Sequence, residues 1–151
     1  MYQLNLPAFE YRVKAEAQRK LIFDVVRKKY VSLTPEEWVR QHVIHYLLKE
    51  KKVPHSLVGV EKGITILNRP RRTDLVVFNN LGHPMLLVEC KSPLITLEPK
   101  VMTQAALYNY GYGMDYIMIT NGMSHVYLKI DKGLRKIQPV AELPLYPFHQ
   151  P

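Results

Sequence analysis

The alternation of apolar and polar positions along the chain predicts a mixed α/β fold. Residues 75–78 and 85–88 form two wholly apolar runs separated by a turn, as is typical of neighbouring buried strands. Residues 116–120 form a third apolar run, and Asn121-Gly122 predicts a turn from it into a strand at 126–130. Charged residues lie at the outer ends of the first two runs, which raises the question of what stabilises them there.

Two segments carry helical patterns. Thr34-Pro35-Glu36-Glu37 combines an N-cap residue, a proline at the first helical position and a glutamate three residues after the cap. An apolar stripe follows at three- and four-residue spacing until Lys49 to Lys52 and Pro54 end it: Trp38, Val39, His42, Val43, Tyr46 and Leu47. A second helix is predicted from Glu98-Pro99 through residue 108, fraying at Gly111.

The remaining segments suggest short strands and an irregular tail. Residues 57–61 and 63–67 are predicted to be two strands joined by a tight turn, followed by a basic loop at 68–72. Residues 9–33 contain alternating stretches that predict a small β-hairpin or meander. We therefore divide the chain into an N-terminal β-hairpin extension (1–33), a main domain (34–138) and a Pro-rich irregular tail (139–151).

Composition narrows the class of protein. A chain of 151 residues is long enough to bury one substantial core and too short for two. The only cysteine, Cys90, excludes an internal disulfide and a Cys-rich zinc site. Neither a signal peptide nor an apolar run long enough for a membrane span is present. These features predict a cytoplasmic protein without a membrane partner.

The charge balance favours a polyanionic partner. Lysine and arginine number 21 against 13 acids, which gives a formal net charge of +8. Basic residues cluster at 27–29, 49–52 and 69–72, and nucleic acid is the commonest polyanion that such clusters bind. Many soluble proteins are basic without binding nucleic acid, so charge alone leaves both interpretations open.

The charges beside the apolar runs can form one constellation. If the runs pair as a hairpin around the turn 80–83, Asp74 faces Glu89 across the ladder. Lys91 then projects from the same face as Glu89, while Cys90 points the other way, provided that no β-bulge shifts the register. Two carboxylates and an amine at one sheet edge suit a hard divalent cation and phosphodiester hydrolysis.

This spacing resembles a known signature. Asp74, followed after fourteen residues by Glu89-Cys90-Lys91, resembles the (P)D…(D/E)xK motif of the restriction-endonuclease-like nuclease superfamily, with threonine at 73 in place of proline. Gln104-x-x-x-Tyr108 resembles the QxxxY motif of type I restriction enzyme R subunits and RecB-like nucleases. The stretches TPEEWVRQHVIHYLLKEKKVPHSLVGVEKGI, RRTDLVVFNNLGHPMLLVECKSP and YIMITNG are similar to the N-terminal domain of type I restriction enzyme R proteins, so the resemblance covers about residues 34–130.

The resemblance implies a restriction-endonuclease-like core at 34–138, a mixed central β-sheet flanked by helices, that hydrolyses DNA with Mg²⁺ or Mn²⁺. Asp74 and Glu89 would be metal ligands and Lys91 the catalytic lysine. Glu37 would be a helix acid near the metal. Gln104 and Tyr108, on one helix face, would position substrate or the catalytic lysine.

Structural interpretations compete at several of these positions. Asp74 and Glu89 could end strands in solvent with Lys91 as a salt-bridge partner. A capping box with Thr34 would explain Glu37. Tyr108 could be a packing residue, and His42 and His45 are better explained as core or rim residues than as a metal pair. Arg71 and Arg72, just before Asp74, could clamp backbone phosphates or lie in a solvated loop.

Three classes of function therefore remain. The first is a Mg²⁺-dependent DNA endonuclease, and the second is a catalytically inactive nucleic-acid-binding or protein-assembly module of the same fold. The third is a structural subunit that binds another protein through residues 9–33. No G-x-x-x-x-G-K-[ST] loop is present, so ATP-coupled cleavage would need a separate motor or specificity subunit. Sequence preference, DNA against RNA, and a homodimer against a monomer are left open.

Overall fold

The computed structural model describes residues 1–148 and confirms a mixed α/β fold. The central sheet has six strands: β4 (Val58–Val60), β7 (Leu75–Phe78), β8 (Pro84–Cys90), β9 (Tyr116–Thr120), β10 (His125–Asp131) and β11 (Lys136–Val140). Their order in the sheet is β11-β10-β9-β8-β7-β4, and the only parallel pair among the described residues is β8 with β9. The parallel pair needs a long crossover, which α2 (Pro99–Tyr110) supplies.

The β7–β8 hairpin adopts the predicted register at the end that carries Asp74 and Glu89. Leu75 pairs with Val88, and Val76 pairs with Leu87. A β-bulge does occur, but it lies between Val77 and Phe78, on the turn side of those pairs. The turn closes through Asn79, whose side chain accepts from the backbone N–H groups of Leu81 and His83 at 2.9 Å. The end of the hairpin that carries the charged residues therefore keeps the register expected from simple alternation.

The first helix, α1 (Pro35–Lys49), covers one face of the sheet. The predicted N-cap is confirmed, because the Thr34 hydroxyl accepts from the backbone N–H of Glu37 at 3.0 Å. Val39, Val43 and Leu47 are fully buried and pack on the odd-numbered β7 residues and the even-numbered β8 residues. The second helix, α2, covers the other face, where Ala106 and Tyr110 pack with Leu87, Ile117 and Ile119.

The segment 57–72 differs from its prediction. Strands β4 and β5 (Gly63–Ile66) do not pair with each other: β4 joins the central sheet beside β7, and β5 pairs with β6 (Arg69–Arg72). The predicted basic loop at 68–72 is thus largely a strand. The cause is a tight turn in which Leu67 and Asn68 both have positive φ, 50° and 62°, as a two-residue hairpin turn requires.

Within residues 1–148, both predicted end regions contain more strand than the sequence suggested. The N-terminal segment is a separate three-stranded antiparallel sheet, a meander rather than one hairpin, with β1 (Val13–Glu16), β2 (Arg19–Asp24) and β3 (Lys29–Ser32) in that order. Strand β11 runs to Val140, so the first residues assigned to an irregular tail are strand; Pro139 fits there because β11 is an edge strand. Residues 141–148 contain no strand or helix, and the last three residues of the predicted tail, 149–151, lie outside the described residues. Within residues 1–148 no helix is long and apolar enough to cross a membrane.

Candidate functional site

Asp74 lies immediately before β7 and is held by two donors. Its Oδ1 accepts from Arg40 Nη2 at 2.9 Å, and its Oδ2 accepts from the backbone N–H of Cys90 at 2.8 Å. The Asp74 side chain is 25% exposed, so solvent still reaches it. Because the Cys90 N–H belongs to the end of β8, this bond connects the first acid of the predicted constellation to the strand that carries the second.

Glu89 lies near the end of β8 on the face covered by α2. The hydroxyl of Tyr110 donates to its Oε1, and Lys91 Nζ lies 3.7 Å from its Oε2. Lys91 therefore extends from the same side of the strand as Glu89, as alternation predicted, while Cys90 is buried. The backbone N–H of Lys91 donates to the Thr120 carbonyl at 2.7 Å, which continues the pairing with β9 beyond the strand end.

Tyr110 is close enough to both acids to be affected by their charges. Its pKa is raised well above the ordinary value, first by burial, then by the hydrogen bond to Glu89 and by the negative charges of Glu89 and Asp74. Burial, followed by the charge of Asp74, also raises the pKa of the Cys90 thiol. Both groups thus remain protonated at neutral pH, Tyr110 as a donor and Cys90 as an inert thiol.

Glu37 is buried on α1, and its carboxylate does not turn back to close a capping box with Thr34. Instead it accepts from Arg27 Nη2 at 2.6 Å, from Gln41 Nε2 at 2.9 Å and from Arg40 Nη1. Arg40 is only 6% exposed and lies between Glu37 and Asp74. Burial lowers the pKa of Arg40, but the negative charges of Glu37 and Asp74 more than offset this effect. The net result is a raised pKa, so the guanidinium stays protonated.

The ion pairs continue from α1 into the N-terminal sheet. Asp24, at the end of β2, is fully buried and accepts from Arg27 Nε at 2.7 Å and Gln41 Nε2 at 2.9 Å. Burial alone would raise the pKa of Asp24, but these hydrogen bonds, with that of the Arg27 backbone, lower it below the ordinary value. We call Asp24, Arg27, Glu37, Arg40 and Asp74 the α1 ion network. Sequence reasoning missed Asp24, Arg27 and Arg40, because nothing local marks them as partners.

The predicted QxxxY pair does not reach the two acids. Gln104 is exposed, and Tyr108 is 85% exposed on the outer face of α2. It is Tyr110, two residues further along, whose hydroxyl donates to Glu89. A helix rotates by about 200° over two residues, so Tyr108 and Tyr110 point to nearly opposite sides. The signal available in the sequence was the four-residue spacing of Ala106 and Tyr110, which places both on one helix face; the structure buries both.

Arg71 and Arg72 lie on β6 rather than in a loop. The Nε of Arg71 donates to the carbonyl of Asn109 at 2.8 Å, near the end of α2. The side chain of Arg72 is 78% exposed, and its Nη2 lies 3.8 Å from Glu61 Oε1. Arg71 thus supports the second helix, whereas Arg72 is the more available of the two for a ligand.

The candidate site offers only a few protein ligands for a metal ion. Within residues 1–148 no group of three or more His, Cys, Asp or Glu side chains is arranged to bind an ion. Asp74 and Glu89 are two carboxylates, the donors that Mg²⁺ prefers, and Mg²⁺ commonly keeps several waters. Each Asp74 oxygen already accepts one hydrogen bond but has a second lone pair. The residues therefore fit a weakly held, largely hydrated cation better than a closed metal cage.

An open cleft of about 790 Å³ lies between β3, the start of α1 and the segment after β8. The α1 ion network forms part of its wall. Its lining includes the charged residues Arg27, Lys29, Glu36, Glu37, Arg40 and Glu61, together with Tyr30. Three cations and three acids among them leave the cleft close to neutral.

Comparisons with known proteins show similarity to a protein family and to a solved structure. The profile of the family described as "Type I restriction enzyme R protein N terminus" matches residues 35–144, well over half of the chain. A fragment structure described as an HsdR subunit of a type I restriction enzyme from Vibrio vulnificus YJ016 aligns with 17% identity and a TM-score of 0.49. That alignment covers 77% of this chain and 24% of the other, so the chain spans about a quarter of that relative. No curated protein matches the chain.

Proposed function

Because the chain belongs to the family of type I restriction enzyme R protein N-termini, we propose that it is a Mg²⁺-dependent nuclease domain acting on DNA, with a restriction-endonuclease-like core. The observation that supports the proposal is that Asp74 accepts from the backbone N–H of Cys90 at the end of β8, between Glu89 and Lys91, whose charged groups lie 3.7 Å apart. Acids of this kind at a sheet edge suit phosphodiester chemistry. The proposal includes cytoplasmic action together with a separate motor or specificity subunit.

In this proposal Asp74 and Glu89 hold the metal, which when bound polarises a phosphate oxygen and makes a water more acidic. Lys91, whose side chain is 41% exposed, places its ammonium beside Glu89 and can stabilise negative charge on the phosphate or orient the attacking water. Tyr110 orients Glu89 through its hydroxyl. Exposed Gln104 and Tyr108 would contact substrate rather than the lysine.

The proposal gives Glu37 an indirect role. Three donors already occupy its carboxylate, and Arg40 lies between it and Asp74. Glu37 would therefore act as a positioning residue, which orients Arg40 and through it Asp74, rather than as a metal ligand.

Cleavage of a supercoiled plasmid in MgCl₂ or MnCl₂ tests the proposal. We expect the wild-type protein to nick the plasmid and Lys91→Ala to lose at least about 100-fold in rate, as removal of one charge-stabilising group typically costs. Lys136→Ala, which removes an exposed lysine from the far edge strand, should cleave like the wild type. If wild type and Lys91→Ala both leave the plasmid intact, the proposed activity is wrong.

A second candidate is a DNA-binding or assembly module without turnover, and one observation favours it. Arg40 and Tyr110 already hold Asp74 and Glu89, so both acids are stabilised without a metal. This candidate predicts that adding Mn²⁺ shifts the thermal midpoint of the wild type no more than it shifts that of Asp74→Asn in the same buffer. The nuclease proposal predicts a Mn²⁺-dependent rise in the wild type alone.

A further inference from the structure

The N-terminal sheet lies before the residues that match the family, and its outer face has an unusual composition. Strand register places Arg12, Lys14, Phe23 and Tyr30 on the same face, because Lys14 pairs with Leu21 and Phe23 pairs with Tyr30. We call these four residues the outer patch. The opposite face lies against α1, since Ile22 and Asp24 there are fully buried and Gln41 of α1 bonds to Asp24.

Each cation of the outer patch rests on an aromatic ring. The guanidinium of Arg12 lies 3.8 Å from the centre of the Phe23 ring, and Lys14 Nζ lies 4.5 Å from the centre of the Tyr30 ring. The two rings contact each other edge to face at 5.3 Å. Lys14 also lies 3.6 Å from Glu16 in an exposed pair. Such ring contacts hold a cation in place and leave its outer side free for an anion.

The charge of the N-terminal sheet is strongly positive. Residues 10–33 contain seven lysines and arginines against three acids. Of these, Arg27 and Asp24 are paired within the α1 ion network. The remaining cations are exposed, on the outer patch and around the two turns of the sheet: Arg12, Lys14, Arg19, Lys20, Lys28 and Lys29.

The cleft beside the sheet cannot supply this attraction, because its lining has as many acids as cations. Strand β3 connects the two regions: Tyr30 belongs to the outer patch and also lines the cleft, next to Lys29. A polyanion bound on the outer patch would therefore cross β3 and reach the wall formed by Arg40, which holds Asp74.

We infer that the outer patch is a docking surface for the phosphate backbone of DNA, which delivers the strand into the cleft. This inference deepens the proposed function and rests on it only for the direction of delivery. Contacts to phosphate by preorganised cations give affinity without sequence preference. The six exposed cations of a single small sheet favour a polyanion over a locally acidic partner.

Fluorescence anisotropy of a labelled DNA duplex, measured in EDTA at several salt concentrations, tests the inference. The double variant Arg12→Ala/Lys14→Ala should bind about tenfold more weakly than wild type in low salt. The slope of its log binding constant against log salt concentration should be smaller in magnitude by about 2. Lys132→Ala/Lys136→Ala removes two exposed lysines at the far edge of the central sheet, outside the basic clusters, and should bind within twofold of wild type. Tyr30→Leu removes a ring under Lys14 and should weaken binding less than the double variant.

Equal losses in the two double variants would mean attraction by net charge alone and would overturn the inference, as would wild-type binding by Arg12→Ala/Lys14→Ala. Circular dichroism verifies the fold of each variant, and Arg12→Gln/Lys14→Gln repeats the test with longer side chains. The plasmid assay is independent of this measurement. Weakened binding with no wild-type cleavage supports the docking surface and contradicts the nuclease, while cleavage with unchanged binding does the reverse.

Discussion

The two helices cover the central sheet to very different extents. On α1, nine residues are buried, and the N-terminal segment adds a second layer in which Phe9 stacks on His45 at 4.1 Å and contacts Trp38. On α2, only Ala106 and Tyr110 are buried, and Leu107 is 41% exposed. The first helix is therefore enclosed on both sides, whereas the second lies on the sheet with much of its surface in solvent.

The same difference distinguishes the two acids of the candidate site. Asp74 accepts from a backbone N–H and from a buried guanidinium that also pairs with three further acids, Glu36, Glu37 and Glu61. Glu89 accepts from one tyrosine hydroxyl and lies near a lysine that is 41% exposed. The α1 side therefore holds its carboxylate through more contacts than the α2 side does. Substitutions on each side can test this contrast.

The largest effect is expected at Arg40. Arg40→Ala leaves the buried Glu37 carboxylate without one partner and Asp74 without its guanidinium. Breaking a buried ion pair from one side costs about 3–5 kcal/mol in the free energy of unfolding. Urea denaturation at pH 7 measures the loss. Arg72→Ala removes an exposed arginine and should cost no more than about 0.5 kcal/mol, and equal costs would contradict the contrast.

A smaller effect is expected from pH, also on the α1 side. Burial, followed by the charges of Lys49 and His42, lowers the pKa of His45 from 6.5 to about 4. The unfolded chain therefore binds the His45 proton more tightly than the folded chain does. Protonation of His45 costs no stability well above pH 6.5, and the free energy of unfolding decreases as the pH falls from 6.5 toward 4. We expect a loss of roughly 1–2 kcal/mol between pH 7 and pH 5, because the ring is half-buried and solvent screens part of the penalty.

Urea denaturation at the two pH values measures this loss. His45→Phe keeps a ring against Phe9 but cannot titrate, so its stability should change less over the same interval. Asp24 does not interfere in this window, because its lowered pKa means that its contribution is lost only below about pH 4. An unchanged pH dependence in His45→Phe would assign the effect to another group.

The smallest effect is expected at Tyr110. Tyr110→Phe removes one hydroxyl from Glu89, which is 22% exposed and can take a water in its place. The cost should be about 1 kcal/mol, the typical net value of one hydrogen bond. Thermal denaturation compares it with Tyr108→Phe, which should be neutral since Tyr108 is 85% exposed. A loss as large as that of Arg40→Ala would show that the α2 side is as rigid as the α1 side.

Much of this arrangement follows from the sequence alone. The apolar runs specify β7 and β8, and side-chain alternation places Asp74 beside Glu89 with Lys91 on the Glu89 side. Thr34 and Pro35 specify where α1 begins. These features depend on residues close together in the chain or on a single turn, which is why local patterns suffice.

The parts that could not be predicted depend on distant contacts. Arg40 meets Asp74 across 34 residues, and no local pattern marks which of the 21 cations will be buried. Leu67 and Asn68 adopt positive φ without the glycine that usually signals such a turn, so the β5–β6 pairing was missed. The choice between Tyr108 and Tyr110 depended on the rotation of α2, which a motif of fixed spacing does not determine.

The burial of Cys90 has a practical consequence. Its backbone N–H donates to Asp74, the residue is 1% exposed, and the raised pKa of its thiol makes it unreactive while the strand end is closed. Because the chain has a single cysteine, the rate of alkylation by a small reagent reports how often this margin of the sheet opens. Cys90, next to Glu89 and hydrogen-bonded to Asp74, is thus a natural probe of local unfolding that requires no engineered label.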